Sequence, residues 1–160
     1  MRHYAGQGAV RLIQADAKKG WMLLEQCIPG SSLASYQDER DKTSIAATVM
    51  QRLWRPVEHP EQFISLKRWL VGLKQLNEHA ILKALLPETL RDFALNRSEE
   101  LLLSQGEQVL LHGDLHHYNI LQHQEAWLAI DPKGVVGERE FEIGAFLRNP
   151  WCVTGNPFDI

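Results

Sequence analysis

The feature that most constrains the fold is a polar loop enclosed by apolar segments in the last third of the sequence. An apolar run at 109–111 precedes the loop, and two apolar stretches, 120–121 and 127–130, follow it. Short apolar runs of this kind are typical of buried β-strands. The polar residues of this region that can carry chemistry are His112, Asp114, Asn119 and Asp131. The sequence therefore predicts a loop that is fixed against a core and presents carboxylate and amide groups.

The spacing of these residues matches the catalytic-loop pattern of kinases, His-x-Asp-x-x-x-x-Asn, followed after a short hairpin by an acidic residue. In such a loop an Asp accepts the proton of the attacking hydroxyl. An Asn amide oxygen and a second carboxylate hold Mg²⁺ on the nucleotide phosphates. Because every position of the pattern is filled, the sequence favours phosphoryl transfer.

A zinc site is the alternative interpretation of the same region. Its ligands would be His112, Asp114, His116 and His117, since His and carboxylates commonly bind zinc. No Cys lies nearby, however, and the spacing His-Glu-x-x-His is absent. A metal-dependent hydrolase is therefore the less favoured hypothesis.

Charge and cysteine content restrict the class of protein. The formal net charge is -3 and no run of Lys and Arg appears, which argues against nucleic acid as a partner. Cys27 and Cys152 lack a Cys-x-x-Cys spacing, as in reduced cytosolic proteins. No apolar run is long enough to span a bilayer, and the first residues do not resemble a signal peptide. We expect a cytoplasmic protein without a membrane partner.

The order of predicted elements indicates an α+β fold. Two strands at 9–15 and 21–28 form a hairpin around the polar turn 16–20, and Pro29-Gly30 ends the second strand. Ser31-Ser32 can cap a short helical segment. Helices are predicted at 43–54, at 60–78 and after Pro87, the last with a stop at Gly106.

Four segments carry a family resemblance. They are 112–120 (HGDLHHYNI), 127–138 (WLAIDPKGVVGE), 8–12 (GAVRL) and 22–25 (MLLE). They resemble the aminoglycoside phosphotransferases, in particular the streptomycin 6-kinase and hydroxyurea phosphotransferase branch. The resemblance implies a protein-kinase-like fold, in which residues 1–28 are the remnant of the N-terminal β lobe with the hinge. Residues 29–160 would form the mainly helical large lobe.

The resemblance also implies roles for individual residues. Asp114 would be the catalytic base, His112 would brace the loop, and Asn119 and Asp131 would bind Mg²⁺. ATP would be the phosphate donor, and its adenine edge would pair with the backbone of the hinge. The hinge residues are Glu25, Gln26, Cys27 and Ile28.

The implied acceptor is a hydroxyl group of a small molecule, and the sequence leaves streptomycin-like aminoglycosides, hydroxyurea and other alcohols open. A cationic aminoglycoside would suit the carboxylates of Glu138, Glu140 and Glu142 through charge-assisted hydrogen bonds. Alternatively, these carboxylates are solvated charges that pair with Arg139.

Two departures from the kinase pattern affect the expected activity. Gly6-Gln7-Gly8 lacks a third glycine, and no Val-Ala-x-Lys strand follows it. Lys18 and Lys19 lie in a predicted turn and are expected to be surface charges. The sequence also ends before the closing helices expected of the large lobe. We therefore expect an internal piece of a longer enzyme, which by itself would be a catalytically weak kinase-like remnant.

Overall fold

The computed structural model describes residues 1–74 and 86–149, which form a mixed α+β structure. The strands are β1 (Leu12–Asp16), β2 (Trp21–Leu24), β3 (Pro29–Ser32), β4 (Ile64–Ser65), β5 (Gln108–Leu111), β6 (Ile120–His123), β7 (Ala126–Ala129) and β8 (Val135–Glu138). The helices are α1 (Glu39–Leu53), α2 (Leu66–Trp69), α3 (Val71–Lys74), α4 (Glu88–Leu103) and α5 (Glu140–Leu147). The predicted fold class, α+β, is confirmed. No helix within the described ranges is long and apolar enough to cross a membrane.

The predicted N-terminal hairpin is present, but both of its strands are shorter than expected. β1 and β2 pair antiparallel, with Asp16 opposite Trp21. Residues 9–10 were expected in the first strand and instead join another sheet, since Val10 N–H donates to the carbonyl of Ala129 at 3.0 Å. Residues 9–10 therefore pair with the end of β7 and do not extend the hairpin strand.

The second hairpin strand ends at Leu24, before Pro29 and Gly30, which instead begin a new strand. β3 pairs antiparallel with β6, with Ser32 opposite Leu121. Ser32 then occupies the N-cap position of a short 3₁₀ turn, Leu33–Ser35, although its side chain makes no capping hydrogen bond. The hydroxyl of Ser35 donates instead to the carbonyl of Ser32 at 2.7 Å.

Two of the three predicted helices are confirmed. α1 starts earlier than expected because the carboxylate of Asp38 accepts from the N–H groups of Arg40 and Asp41, which caps the helix. It ends before Pro56, as predicted. α4 follows Pro87 and ends at Leu103, before the expected stop at Gly106.

The prediction of one continuous helix over 60–78 is wrong in its first part. Pro60–Gln62 forms a 3₁₀ turn, and β4 pairs in parallel with β8. The side chain of Ser65 then caps α2, where helical structure begins. The end of that predicted helix, with Leu76 and Glu78, lies outside the described residues, and so does Cys152.

Two three-stranded sheets hold the catalytic-loop region. Their strand orders are β3-β6-β7 and β4-β8-β5. α1 packs against them through a common core of buried apolar residues, among them Val49, Leu53, Leu110, Leu115, Ile120, Ala129 and Val136. β5 leads into the polar loop and β6 leaves it, so both ends of the loop are fixed by sheets.

Candidate active site

The polar loop between β5 and β6 is buried more deeply than an ordinary surface loop. Leu111, His112, Gly113 and Leu115 are all buried. Gly113 adopts φ +84, and a Cβ atom there would lie 2.7 Å from Val135 Cγ2. Only glycine fits this position without strain, because the backbone is left-handed and β8 packs directly against it. The loop therefore has one well-defined path.

His112 is fully buried and holds the loop from inside. Its Nδ1 accepts from Asp114 N–H at 3.2 Å, and its Nε2 lies 2.7 Å from the carbonyl oxygen of Ile130. Because Nδ1 is the acceptor, the ring proton is placed on Nε2, which donates to Ile130. Burial lowers the pKa of His112 to about 4. The neutral ring thus connects Asp114 to Ile130, the residue before Asp131, which is the geometry a bracing residue needs.

Asp114 lies at the edge of the loop, with its carboxylate 26% exposed. Its backbone carbonyl accepts from Asn119 Nδ2 at 3.0 Å. Arg148, just after α5, donates from Nη2 to Asp114 Oδ1 at 3.3 Å. The carboxylate is therefore accessible while its backbone is held on both sides.

Asn119 and Asp131 lie at the same end of the β6–β7 hairpin. Asn119 precedes β6, and its backbone carbonyl accepts from the N–H of Ile130 at 2.9 Å, so Asp131 is the next residue along. Asn119 uses its amide nitrogen within the loop, which leaves its amide oxygen for a ligand. Asp131 has an exposed carboxylate and a left-handed backbone, with φ 56. Such a conformation is uncommon for a residue other than glycine and is frequent at functional sites.

Lys133 contacts both Asp131 and the polar loop. Its ammonium donates to Asp131 Oδ2 at 2.7 Å, and its backbone N–H donates to the carbonyl of His112 at 2.8 Å. The hydrogen bond to Asp131 raises the pKa of Lys133, and the charge of Asp114 adds to this effect. Lys133 thus lies in the field of both carboxylates.

The oxygen donors of this site fit Mg²⁺ better than Zn²⁺. The amide oxygen of Asn119 and the carboxylate of Asp131 are hard ligands of the kind that Mg²⁺ prefers. Within residues 1–74 and 86–149, no three His, Cys, Asp or Glu side chains are grouped so that they could hold a metal ion. His112 has both ring nitrogens occupied, and His117 stacks on Phe146 with ring centroids 4.0 Å apart. The geometry does not support the zinc-hydrolase alternative.

Glu142 has a role that differs from the one expected from the sequence. It is 1% exposed and accepts from the N–H of His112 at 2.6 Å and of Gly113 at 3.0 Å. Burial raises the pKa of Glu142 to about 7, against the opposing effect of these hydrogen bonds. A residue enclosed in this way cannot also bind an acceptor molecule, so that part of the acceptor-pocket prediction is wrong.

The other two glutamates of the predicted pocket lie apart from the catalytic loop. Glu138 accepts from Gly106 N–H at 3.3 Å, and with the exposed Glu140 it borders a cavity of 490 Å³ whose other walls are mostly apolar. Arg139 pairs with Glu107 at 2.9 Å and not with any of these carboxylates. The alternative pairing with Arg139 is therefore also wrong.

The four residues expected to form the hinge differ in how much of their backbone is available. Glu25 N–H donates to the carbonyl of Arg11 at 2.9 Å, and its carboxylate pairs with the Arg11 guanidinium at 2.8 Å. Ile28 N–H donates to His123 Nδ1 at 3.3 Å, and its carbonyl accepts from Gln124 at 2.8 Å. Within the described part of the chain, the backbone groups of Gln26 and Cys27 have no hydrogen-bond partner. Of the four predicted hinge residues, these two therefore have both backbone groups available, and the hinge stays a prediction.

The polar loop and the β6–β7 hairpin bring the four residues of the kinase pattern, His112, Asp114, Asn119 and Asp131, into one region of the fold. A family model described as aminoglycoside/hydroxyurea antibiotic resistance kinase matches residues 1–157. The chain belongs to this family, as its sequence motifs predicted.

Curated relatives agree with this assignment. The chain is 36% identical over 152 residues to a streptomycin 3''-kinase of Klebsiella pneumoniae, with 91% of the chain and 53% of the relative covered. It is 32% identical over 155 residues to a streptomycin 6-kinase of Streptomyces griseus, covering 94% of the chain and 50% of the relative. A hydroxyurea phosphotransferase of Kitasatospora aureofaciens is 35% identical over 165 residues, with 93% and 45% covered. The chain thus spans about half the length of these relatives.

Proposed function

We propose that this chain carries the catalytic loop of an ATP-dependent O-phosphotransferase. The acceptor is a hydroxyl group of a streptomycin-like aminoglycoside or of hydroxyurea, and the reaction takes place in the cytoplasm. One observation carries the proposal: His112 and Asn119 each hydrogen-bond to the backbone of Asp114 and to that of Ile130, the residue before Asp131. These contacts bring the proposed base close to the two proposed metal ligands, which is what phosphoryl transfer requires.

Each group of the site has one task in the reaction. The carboxylate of Asp114 accepts the proton of the acceptor hydroxyl while the hydroxyl oxygen forms a bond to the terminal phosphorus of ATP. The bond between that phosphorus and the bridging oxygen breaks, and ADP leaves. His112 stays neutral, since its pKa is about 4, so it orients Asp114 without competing for the proton. Catalysis then rests on positioning and charge stabilisation.

The amide oxygen of Asn119 and the carboxylate of Asp131 would hold Mg²⁺, and Gln26 and Cys27 would face the adenine edge with their free backbone groups. When bound, the metal ion neutralises charge on the phosphates. Ile28 contacts His123 at the far end of β6 from Asn119. A four-residue strand is roughly 10 Å long between its end Cα atoms, which is on the scale of an extended nucleotide. This separation supports a hinge at Gln26 and Cys27 that lies about one nucleotide length from the proposed metal ligands.

The test of the proposal is transfer of labelled terminal phosphate from Mg-ATP to streptomycin and, separately, to hydroxyurea. We expect the protein in its natural length to phosphorylate at least one of them. Residues 1–160 expressed alone should show little turnover, because Lys18 and Lys19 lie at an exposed hairpin turn and cannot take the place of a phosphate-binding strand lysine. Robust turnover by residues 1–160 would show that such a lysine is dispensable. Nucleotide binding without transfer to either acceptor would favour the catalytically weak remnant.

The metal ligands can be tested by substituting Asp131 with Asn, which keeps the shape and removes the charge. Loss of a residue that only supports a metal ligand typically costs 10–100-fold in affinity. We therefore expect Asp131→Asn to raise the Mg²⁺ concentration for half-maximal ATP binding by at least about tenfold. Asp92→Asn, on the exposed side of α4, is the matched control. An unchanged Mg²⁺ requirement, or tight Zn²⁺ binding that depends on His116 and His117, would contradict the assignment.

A further inference from the structure

Lys133 is held beside the catalytic site by its backbone, while its side chain retains freedom to move. The carbonyl of His112 accepts from the N–H of Lys133 at 2.8 Å and from that of Gly134 at 3.2 Å. Lys133 Cβ lies 3.5 Å from the point where a Cβ of Gly113 would be. The side chain is 35% exposed. The backbone and Cβ of Lys133 are thus fixed against the loop, while its ammonium can reorient in solvent.

The charges of the site balance before any nucleotide binds. The carboxylates of Asp114 and Asp131 face the cations of Arg148 and Lys133 in two ion pairs, at 3.3 and 2.7 Å. A triphosphate brings about four negative charges, of which one Mg²⁺ cancels two. Bound nucleotide therefore needs a further cation. If the Asp131 carboxylate turns to the metal ion, it no longer needs Lys133 as its partner.

We propose that Lys133 is a phosphate-contacting residue of this site. Its ammonium leaves Asp131 when Mg-ATP binds and donates hydrogen bonds to an oxygen of the terminal phosphate. The inference rests on the proposed function, since it requires ATP to lie with its terminal phosphate next to Asp131 and Asp114. It adds a cation to a region where the kinase pattern of the sequence supplies only a base and two metal ligands.

The exchange of partners is physically inexpensive. The Asp131 carboxylate is 66% exposed, and ion pairs between exposed groups contribute little net stability. A lysine ammonium is a compact charge with three donors on a flexible stem, so it can follow an anion that arrives within its reach. The left-handed backbone of Asp131 turns the chain at this point, which brings Lys133 back toward the loop.

The test compares nucleotides that differ by one phosphate. In the protein of natural length, we expect Lys133→Met to raise the Kd for Mg-ATP on the order of tenfold, because a charge-assisted hydrogen bond is lost. The Kd for Mg-ADP should change by less than about twofold, since ADP lacks the terminal phosphate. Lys19→Met is the control, because Lys19 is exposed and lies 4.0 Å from Asp16 in the N-terminal hairpin. Binding is measured by calorimetry, without reference to turnover.

Three results would overturn the inference. Equal losses for ATP and ADP would show that Lys133 acts only by positioning Asp131. Unchanged affinity for both nucleotides would show that it contacts neither. If the unsubstituted protein binds no nucleotide, the proposed function fails and this inference fails with it. If Lys133→Met does not fold, Lys133→Gln takes its place in the binding measurements. Thermal unfolding, compared with the parent protein, shows whether that variant is folded.

Discussion

Replacing Asp114 with Ala should lower kcat by about 10²–10⁴, the usual contribution of a general base, with little change in the stability of the fold. The carboxylate is the group that the structure leaves accessible, while the backbone of Asp114 is held by His112 and Asn119. Removing the carboxylate therefore removes the proton acceptor and does not disturb the hydrogen bonds that shape the loop. The measurement is steady-state phosphate transfer to the acceptor by the protein of natural length.

Two controls distinguish loss of the base from loss of structure. Asp92→Ala, on α4, should leave kcat unchanged because Asp92 is exposed and far along the chain from the loop. The affinity of Asp114→Ala for Mg-ATP should stay close to that of the parent protein, since Asp114 is not a proposed metal ligand. Full activity of Asp114→Ala would mean that another group accepts the proton.

The loop itself could be predicted because the residues that define its chemistry lie close together in the sequence. His112, Asp114 and Asn119 lie within eight positions of each other, and Asp131 follows at the end of one hairpin. The apolar residues on both sides predict strands, and strands form there. Local patterns of this kind need no knowledge of distant contacts.

The contacts that support the loop could not be predicted in the same way. Glu142 reaches His112 across 30 residues, and Arg148 reaches Asp114 across 34. Nothing in the local sequence distinguishes Glu142 from the exposed Glu140 two positions earlier. The only available signal was that Glu142 lies in a helix directly after a buried strand, which does not fix its partner.

The helix predicted for residues 60–78 does not form at 60–65 for a related reason. The apolar residues of the predicted helix recur with helical spacing, but Ile64 and Ser65 pair with Val135 and Val136 of β8. β8 has an edge free for this pairing because β5 occupies only its other side. Tertiary pairing overrides periodicity where a neighbouring strand offers backbone groups.

Replacing Glu142 with Ala should destabilise the fold by about 2–5 kcal/mol, because buried N–H groups of His112 and Gly113 lose their acceptor. The effect should appear as a lower midpoint of urea unfolding. Glu140→Ala is the matched control on the same helix, and it should change stability by less than about 0.5 kcal/mol because Glu140 is exposed. A similarly small effect for both variants would show that the loop does not depend on Glu142.

The protonation of Glu142 also makes stability depend on pH, and the sign is fixed by the direction of its pKa shift. Burial raises the pKa from 4.5 to about 7, so the folded state binds this proton more tightly than the unfolded state. The resulting stabilisation is complete below pH 4.5 and disappears as the pH rises to about 7, a total of roughly 3 kcal/mol. Glu142→Gln cannot titrate, so its deficit in unfolding free energy relative to the parent should be largest at low pH and should shrink up to neutrality. A deficit that is constant between pH 4.5 and 7 would mean that folding does not raise the pKa of Glu142, so that its hydrogen bonds offset the cost of burying its charge.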